Sequence, residues 1–240
     1  MTYITNLFLD ALPAQEREPL LGMLTPVTLA FDQVLFEPDR LIRHIYFPID
    51  AVIGCFSPLK TSKLEVCLFG RDGIIGAPAI ARGFAKSGAV VRIAGQALKG
   101  DAASCGKYFL SNQQLLEKLL RHQTAVFDHA NQAATCIAFH SSERRLAQWL
   151  ARVVDLHGPE FSITQSHIAD SLGVRRTTVS ALAKQLLNNG VLHYARGHIQ
   201  IPNIQKLRSM ACECHGAITN NYRSLLREVR GPRSTPPQSL

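Results

Sequence analysis

The chain lacks the features of a membrane protein and of a disulfide-stabilised secreted domain. No stretch of its 240 residues approaches the roughly 20 consecutive apolar residues that a membrane-spanning helix needs. The N-terminal segment lacks the basic start of a secretion signal. Six cysteines are spread thinly through the sequence, which is typical of reduced cytosolic thiols. We therefore expect a cytoplasmic protein without membrane contact.

The sequence also lacks the usual groupings of catalytic residues. It shows no nucleophile–base pair and no internal repeat. The glycine-rich segment 70–76 does not end in the Lys-Ser/Thr pair of a phosphate-binding loop. We predict that the protein is not an enzyme. The alternative is an enzyme that carries an appended basic domain.

Acidic residues are scarce in the last hundred residues, so positive charge is concentrated there. Residues 1–110 carry 11 Lys/Arg against 10 Asp/Glu, whereas residues 140–240 carry 13 against six. Most of the formal net charge of +8 therefore belongs to the C-terminal part. A basic region beside a neutral one indicates a polyanionic partner, although a solvated basic surface gives the same pattern.

Short β-favouring runs alternate with glycine turns in the first half of the chain. Nine of the 16 glycines lie between Gly54 and Gly106. Many short strands with frequent turns indicate an antiparallel sandwich or roll. The predicted strands are residues 34–36, 44–47, 52–56, 64–69 and 90–94. Residues 1–22 predict a short helical entry that Pro13 interrupts.

A long helix is predicted over residues 111–138, which contain no glycine or proline. Its mainly apolar seam recurs at alternating spacings of four and three, as in a coiled coil. The seam consists of Leu116, Leu120, Gln123, Phe127, Ala130, Ala134 and Ile137. We predict that two chains pair along this seam as a homodimer. The alternative is a helix that packs this face on its own domain.

Residues 163–187 have the spacing of a helix-turn-helix. Thr164 is a good N-cap for a first helix, and the small Ala169 allows two helices to cross closely. Gly173 follows four residues later and supplies the tight turn. Val179, ten residues after Ala169, seats a second helix on the first. Residues 191–194 and 198–201, joined by a turn at 195–197, then predict a β-hairpin wing.

The outer face of the second helix, at about residues 175–188, carries the side chains expected to contact DNA. Arg176 lies near its N-terminus, where a guanidinium can bind guanine in a bidentate manner. Arg175, Lys184 and the wing residue Arg196 are expected to contact phosphates. The predicted DNA-binding residues are Thr164, Gln165, Arg175, Arg176, Thr177, Ser180, Lys184 and Arg196. An ordinary helical corner with solvated arginines is the alternative.

With these parts in this order, the chain resembles the Crp/Fnr family of bacterial transcription regulators over about residues 15–215. The segments that carry the resemblance are residues 45–53, 70–76, 142–150 and 161–202. It implies an α+β fold with an antiparallel β-roll or jelly-roll sensor domain that resembles a cyclic-nucleotide-binding domain. The expected division is the sensor at 1–110, a dimerisation helix at 111–139, a winged helix-turn-helix domain at 140–230 and a disordered tail at 231–240. Double-stranded DNA, a second copy of the chain and RNA polymerase are the implied partners.

The DNA-reading residues of the family match only in part. Arg176 stands where cyclic-AMP-responsive members have an arginine on the DNA. Thr177 replaces a glutamate that reads a base, and Ala181 replaces an arginine found in many members. The resemblance therefore implies DNA binding on a palindromic site but not the familiar operator sequence of the family.

The expected effector is not cyclic AMP. Cyclic-nucleotide-binding members carry a Gly-Glu pair for the ribose and an Arg-Ser/Thr-Ala segment for the phosphate. Here those positions fall at residues 76–77, Gly-Ala, and at about 87–89, Ser-Gly-Ala. Burying a phosphate without a paired cation is costly. The alternative is a cyclic-nucleotide-responsive regulator that uses Lys86 for the phosphate, as a point charge rather than a fork.

No cofactor is predicted. Iron–sulfur members of the family carry an N-terminal cluster of cysteines, whereas the first cysteine here is Cys55. The histidines available to a haem iron are His44, His122 and His129. A lone histidine is more commonly a surface or core residue than a ligand.

No metal site is predicted either. Residues 211–215 bring Cys212, Cys214 and His215 close together in sequence, and thiols and imidazole are ligands for soft metals. Three ligands this close rarely complete a tetrahedral site alone. We interpret the segment as a helix with incidental cysteines.

Overall fold

A computed structural model of the chain describes residues 6–60, 63–81, 83–195 and 197–226. The helices are α1 (Leu7–Asp10), α2 (Ala14–Leu21), α3 (Ala102–Ser111), α4 (Gln113–Phe139), α5 (Ser142–Leu156), α6 (Gln165–Leu172), α7 (Arg176–Asn188), α8 (Ile204–Met210) and α9 (Cys214–Leu226). The strands are β1 (Leu24–Leu29), β2 (Val34–Phe36), β3 (His44–Pro48), β4 (Val52–Pro58), β5 (Lys63–Phe69), β6 (Gly88–Ile93), β7 (Gly95–Asp101), β8 (Glu160–Ser162), β9 (His193–Ala195) and β10 (His198–Gln200). Within these described ranges, no helix combines the length and the hydropathy of a membrane span.

The first seven strands form a roll of two antiparallel sheets, which confirms the predicted fold class. The strand orders are β1-β7-β3 and β2-β6-β4-β5. Gly76 turns the chain at a φ of +85°, and a Cβ there would lie 2.6 Å from the carbonyl oxygen of His44. This turn therefore requires glycine. Apolar side chains such as Phe47, Ile53 and Val91 fill the interior of the roll.

The long helix α4 packs one face on its own chain. Asn112 caps it by accepting a hydrogen bond from the backbone N–H of Leu115 at 3.0 Å. Its buried residues are Leu115, Leu119, His122, Ala125, His129 and Cys136. The last helix, α9, returns along α4 and contributes Ile218, Tyr222 and Leu225 to the core of the roll.

The helices after α4 are docked against the roll. Their apolar core includes Val52, Leu68 and Ile93, which are residues of the roll. Arg152 of α5 is buried and binds Asp72 with both terminal nitrogens, at 2.7 and 3.2 Å. The β-roll and the helix-turn-helix region therefore share a continuous interface within one chain.

Candidate nucleic-acid interface

Helices α6 and α7 form the predicted helix-turn-helix. The hydroxyl of Thr164 caps α6 by accepting a hydrogen bond from the backbone N–H of His167 at 3.3 Å. Gly173 adopts the left-handed conformation at a φ of 63° between the two helices. Ala169 and Val179 are buried, so the positions predicted for the close crossing lie in the core.

A three-stranded wing follows the second helix. Strands β9 and β10 form the predicted hairpin. Strand β8, which precedes α6 in sequence, pairs with β10 and adds a third strand. Gly197 turns between β9 and β10 at a φ of +85°. Arg196, predicted to lie at the tip of the wing, is outside the described residues.

Three cations lie on the outer side of α7 and at its N-cap position. Arg176 and Lys184 are exposed, and Arg175 is exposed at the N-cap position. Within the described part of the chain, none of the three takes part in an ion pair. Arg176, Ser180 and Lys184 are spaced by four residues and therefore share one stripe of the helix. This stripe offers positive charge to an anionic partner.

Other cations of the basic region are engaged inside the protein. Arg145 donates to the carbonyl oxygen of Leu172 at the end of α6. Arg208 binds Asp155, and Lys206 donates to the carbonyl oxygen of Asn189 at 2.6 Å. Part of the C-terminal excess of positive charge is thus used in contacts within the protein, whereas the cations of α7 are exposed.

Three of the predicted DNA contacts have partners within the protein. The Ser180 hydroxyl donates to Oε1 of Gln165, which ties α7 to α6. Thr164 is bonded to His167, as its cap. The amide nitrogen of Gln165 keeps its donor capacity, whereas Thr177 is exposed beside Arg176.

The predicted seam of α4 is exposed at four of its seven positions. Leu120 is 60% exposed, Phe127 65% and Ile137 39%. Ala134 is also exposed, and Leu116, Gln123 and Ala130 are half-buried. The side chains buried against the chain belong to a different face of the helix. Large apolar side chains exposed together indicate a contact surface for another protein.

A cavity of about 360 Å³ lies between the roll and α4. Its walls are mainly apolar and include Phe36, Phe69, Ile75 and Val126. Among the described residues that line it there is no arginine or lysine. Lys86 instead lies on the surface, 2.6 Å from a carboxylate oxygen of Asp39.

The histidines considered as haem ligands occupy other roles. Nε2 of His122 accepts a hydrogen bond from the backbone N–H of Ile74 at 3.1 Å, and burial lowers the pKa of His122 to about 4. His129 lies 3.3 Å from the Tyr222 hydroxyl; burial and the nearby Arg152 charge lower its pKa to about 3. Both are therefore neutral core residues at neutral pH. His44 begins β3 and is half-buried.

Comparison with known proteins agrees with this geometry. Residues 144–210 match the family described as the Crp-like helix-turn-helix domain, whereas no curated protein matches the chain. FixK2 from Bradyrhizobium japonicum superposes with a TM-score of 0.65 at 17% identity, over 79% of this chain and 98% of FixK2. TTHA1359, a transcriptional regulator of the CRP/FNR family from Thermus thermophilus, gives 0.61 at 15% identity, over 78% and 98% of the two chains. The fold and the matched domain confirm the resemblance drawn from the sequence: residues 144–210 form a Crp-like helix-turn-helix domain, and the chain shares its fold with FixK2 and TTHA1359.

Proposed function

We propose that the protein acts as a homodimer on a roughly palindromic site in duplex DNA and regulates transcription there without being an enzyme. Each protomer places α7 in the major groove, and the two helices enter successive grooves one helical turn apart. The observation that carries the proposal is the stripe of Arg176, Ser180 and Lys184, whose two cations have no ion-pair partner within the described residues. The winged helix-turn-helix around this stripe supplies the frame.

The second copy is proposed to cover the exposed face of α4. The seam repeats at four-three spacing along the helix, which is the pattern that fits a partner helix. The contact of α4 with its own chain is made by other residues of the helix, among them Leu115, Leu119 and Ala125. Pairing along α4 also sets the distance between the two copies of α7, since α5 begins directly after the helix ends.

Arg176 is expected to read a base, whereas Lys184 is expected to contact the phosphate backbone of the DNA. Arg176 opens α7, the end that goes deepest into the groove, whereas Lys184 lies two turns further on. Arg176→Ala should cost about 1–3 kcal/mol and relax the preference at one base pair per half-site. Lys184→Ala should weaken all sequences about equally and lower the slope of log affinity against log salt by about 1.

The measurement is affinity for a selected genomic site and for its single-base variants, at several fixed salt concentrations. Arg223→Ala is a matched control, because Arg223 is an exposed cation on α9, outside the helix-turn-helix. A uniform loss across all sequences for Arg176→Ala would make Arg176 a phosphate contact. Base reading would then pass to Thr177, Ser180 or the deformability of the DNA.

The effector, if the protein has one, is proposed to be something other than a cyclic nucleotide. The cavity beside α4 is mainly apolar, and its described lining offers no cation for a phosphate. The side chain of Lys86 is 89% exposed and already paired with Asp39. Calorimetry should therefore detect no binding of cyclic AMP or cyclic GMP. Saturable binding that Lys86→Ala abolishes would support the alternative use of Lys86.

A further inference from the structure

The structure gathers three cysteines and a histidine where the long helix meets the last helix. Cys136 and His140 lie one turn apart at the C-terminal end of α4. Cys212 lies in the segment that joins α8 to α9, and Cys214 is the first residue of α9. Residues 211–215 are therefore not a single helix, which is what the sequence had suggested, because α9 begins only at Cys214. The three cysteines form a small buried cluster of their own.

The four ligand atoms have the dimensions of a site for a single ion. All of them lie within 4.8 Å of one another. The sulfurs of Cys136 and Cys212 are 3.5 Å apart, and the Cys214 sulfur is 3.4 Å from Nδ1 of His140. Tetrahedral Zn²⁺, with Zn–S near 2.3 Å and Zn–N near 2.0 Å, separates its ligands by about 3.5–3.8 Å. The Cys136–Cys212 and Cys214–His140 spacings are close to these values.

The surroundings of the cluster also suit a metal ion. Nδ1 of His140 faces the sulfur of Cys214, while its Nε2 lies 3.2 Å from a carboxylate oxygen of Glu213. Metal-binding histidines commonly use their second ring nitrogen on a carboxylate in this way. The side-chain amide of Gln132 donates to the Cys214 sulfur at 3.1 Å, a contact that stabilises a thiolate.

We propose that Cys136, His140, Cys212 and Cys214 bind one Zn²⁺ ion in a closed tetrahedral site. Three thiolates and one imidazole form a ligand set typical of structural zinc. The protein itself fills all four positions, so the ion joins α4 to the α8–α9 junction and catalyses no reaction. His215 does not contribute, because it pairs with Asp155 at 2.8 Å.

The test is a titration of the reduced full-length chain with Co²⁺, a spectroscopic substitute for Zn²⁺. We expect about one ion per chain. Thiolate-to-cobalt bands should appear in the near ultraviolet with intense visible bands of a tetrahedral centre, and Zn²⁺ should displace them. Cys136→Ser and Cys214→Ser should each abolish the bands. Glu213→Ala, an exposed change beside His140, should weaken binding about 10–100-fold.

Two controls retain the proposed ligands. Cys105→Ala removes a buried thiol of α3 that packs in the core of the roll, and His215→Asn removes the neighbouring histidine; both should keep the native spectrum. Failure of the reduced native chain to bind Co²⁺ would overturn the proposal without depending on how any variant folds. Native-like bands in folded Cys136→Ser or Cys214→Ser, as checked by circular dichroism, would overturn it as well.

Discussion

A Phe127→Glu substitution is expected to turn the proposed dimer into monomers and to weaken DNA binding to near the non-specific level. Phe127 lies in the middle of the α4 seam and is 65% exposed in the single chain. Pairing would bury a carboxylate from each copy in an apolar seam, where an unpaired charge costs several kcal/mol. A monomer engages only one half-site, and non-specific binding has dissociation constants of roughly 10⁻⁴–10⁻⁶ M at physiological salt.

Light scattering gives the mass of the particle, and a gel-shift titration gives its affinity. Thr135→Glu is a matched control, because Thr135 is exposed on α4 but lies outside the four-three seam. That variant should stay dimeric and should bind DNA nearly as the parent chain does. If Phe127→Glu remains a dimer at the same concentrations, the chains pair through another surface. The proposed role of α7 would survive that result.

The helix-turn-helix was predictable because its signal is local. A cap at Thr164, a small residue at Ala169 and a glycine at Gly173 occupy fixed spacings in one short segment. Those spacings are imposed by the crossing of two adjacent helices. The four-three seam of α4 is local in the same sense. Several apolar residues of the seam are exposed in the structure, as the prediction of a partner helix requires. The pairing itself stays a prediction.

Parts of the roll escaped prediction for identifiable reasons. Strand β1 contains Pro26, which usually argues against a strand but is tolerated at the edge of a sheet. Strand β7 follows β6 after Ala94 alone, so the two strands read as one run with a glycine in it. Helix α3 lies next to α4, and only Asn112 separates them. The prediction started the helical region at residue 111 and so missed α3.

The side-chain clusters were beyond sequence reasoning because their members are far apart in the chain. Cys136 lies 76 residues before Cys212, and the motif 211–215 alone contains too few ligands. Similarly, the sequence gives no indication that Glu65 contacts Arg92 or Trp149. Such contacts depend on how the helices dock against the roll, which periodicity does not report.

Glu65 is expected to be a side chain on which that docking depends strongly. It lies on β5 with 3% of its side chain exposed, and its Oε2 accepts from Nε of Arg92 at 2.7 Å. Its Oε1 accepts from the Trp149 indole at 2.8 Å, and its Oε2 also accepts from the Ser171 hydroxyl at 3.1 Å. One carboxylate therefore joins two strands of the roll to α5 and α6. The buried terminal nitrogens of Arg92 have no hydrogen-bond partner among the residues that the structure describes, so Glu65 is the counter-charge in contact with Arg92.

Glu65→Ala should lower the free energy of unfolding by about 3–5 kcal/mol, because removing one partner leaves a buried charge uncompensated. The indole of Trp149 and the hydroxyl of Ser171 would also lose their acceptor. Replacing both members of the pair, as Glu65→Leu with Arg92→Leu, should recover part of the loss, since an apolar pair needs no counter-charge. Urea denaturation followed by Trp149 fluorescence measures these differences, because Trp149 is the single tryptophan of the chain.

The control for this experiment is Lys86→Ala, which removes the partner of Asp39 on the surface. That pair is largely exposed, and exposed pairs contribute little to stability, so the denaturation midpoint should hardly move. A loss for Glu65→Ala no larger than that of Lys86→Ala would show that water or a rearranged side chain compensates Arg92. If the double replacement is less stable than Glu65→Ala, the hydrogen-bonding geometry of the Glu65–Arg92 pair, and not its charge balance alone, stabilises the fold. In that case the carboxylate would orient α5 and α6 on the roll, rather than merely neutralise Arg92.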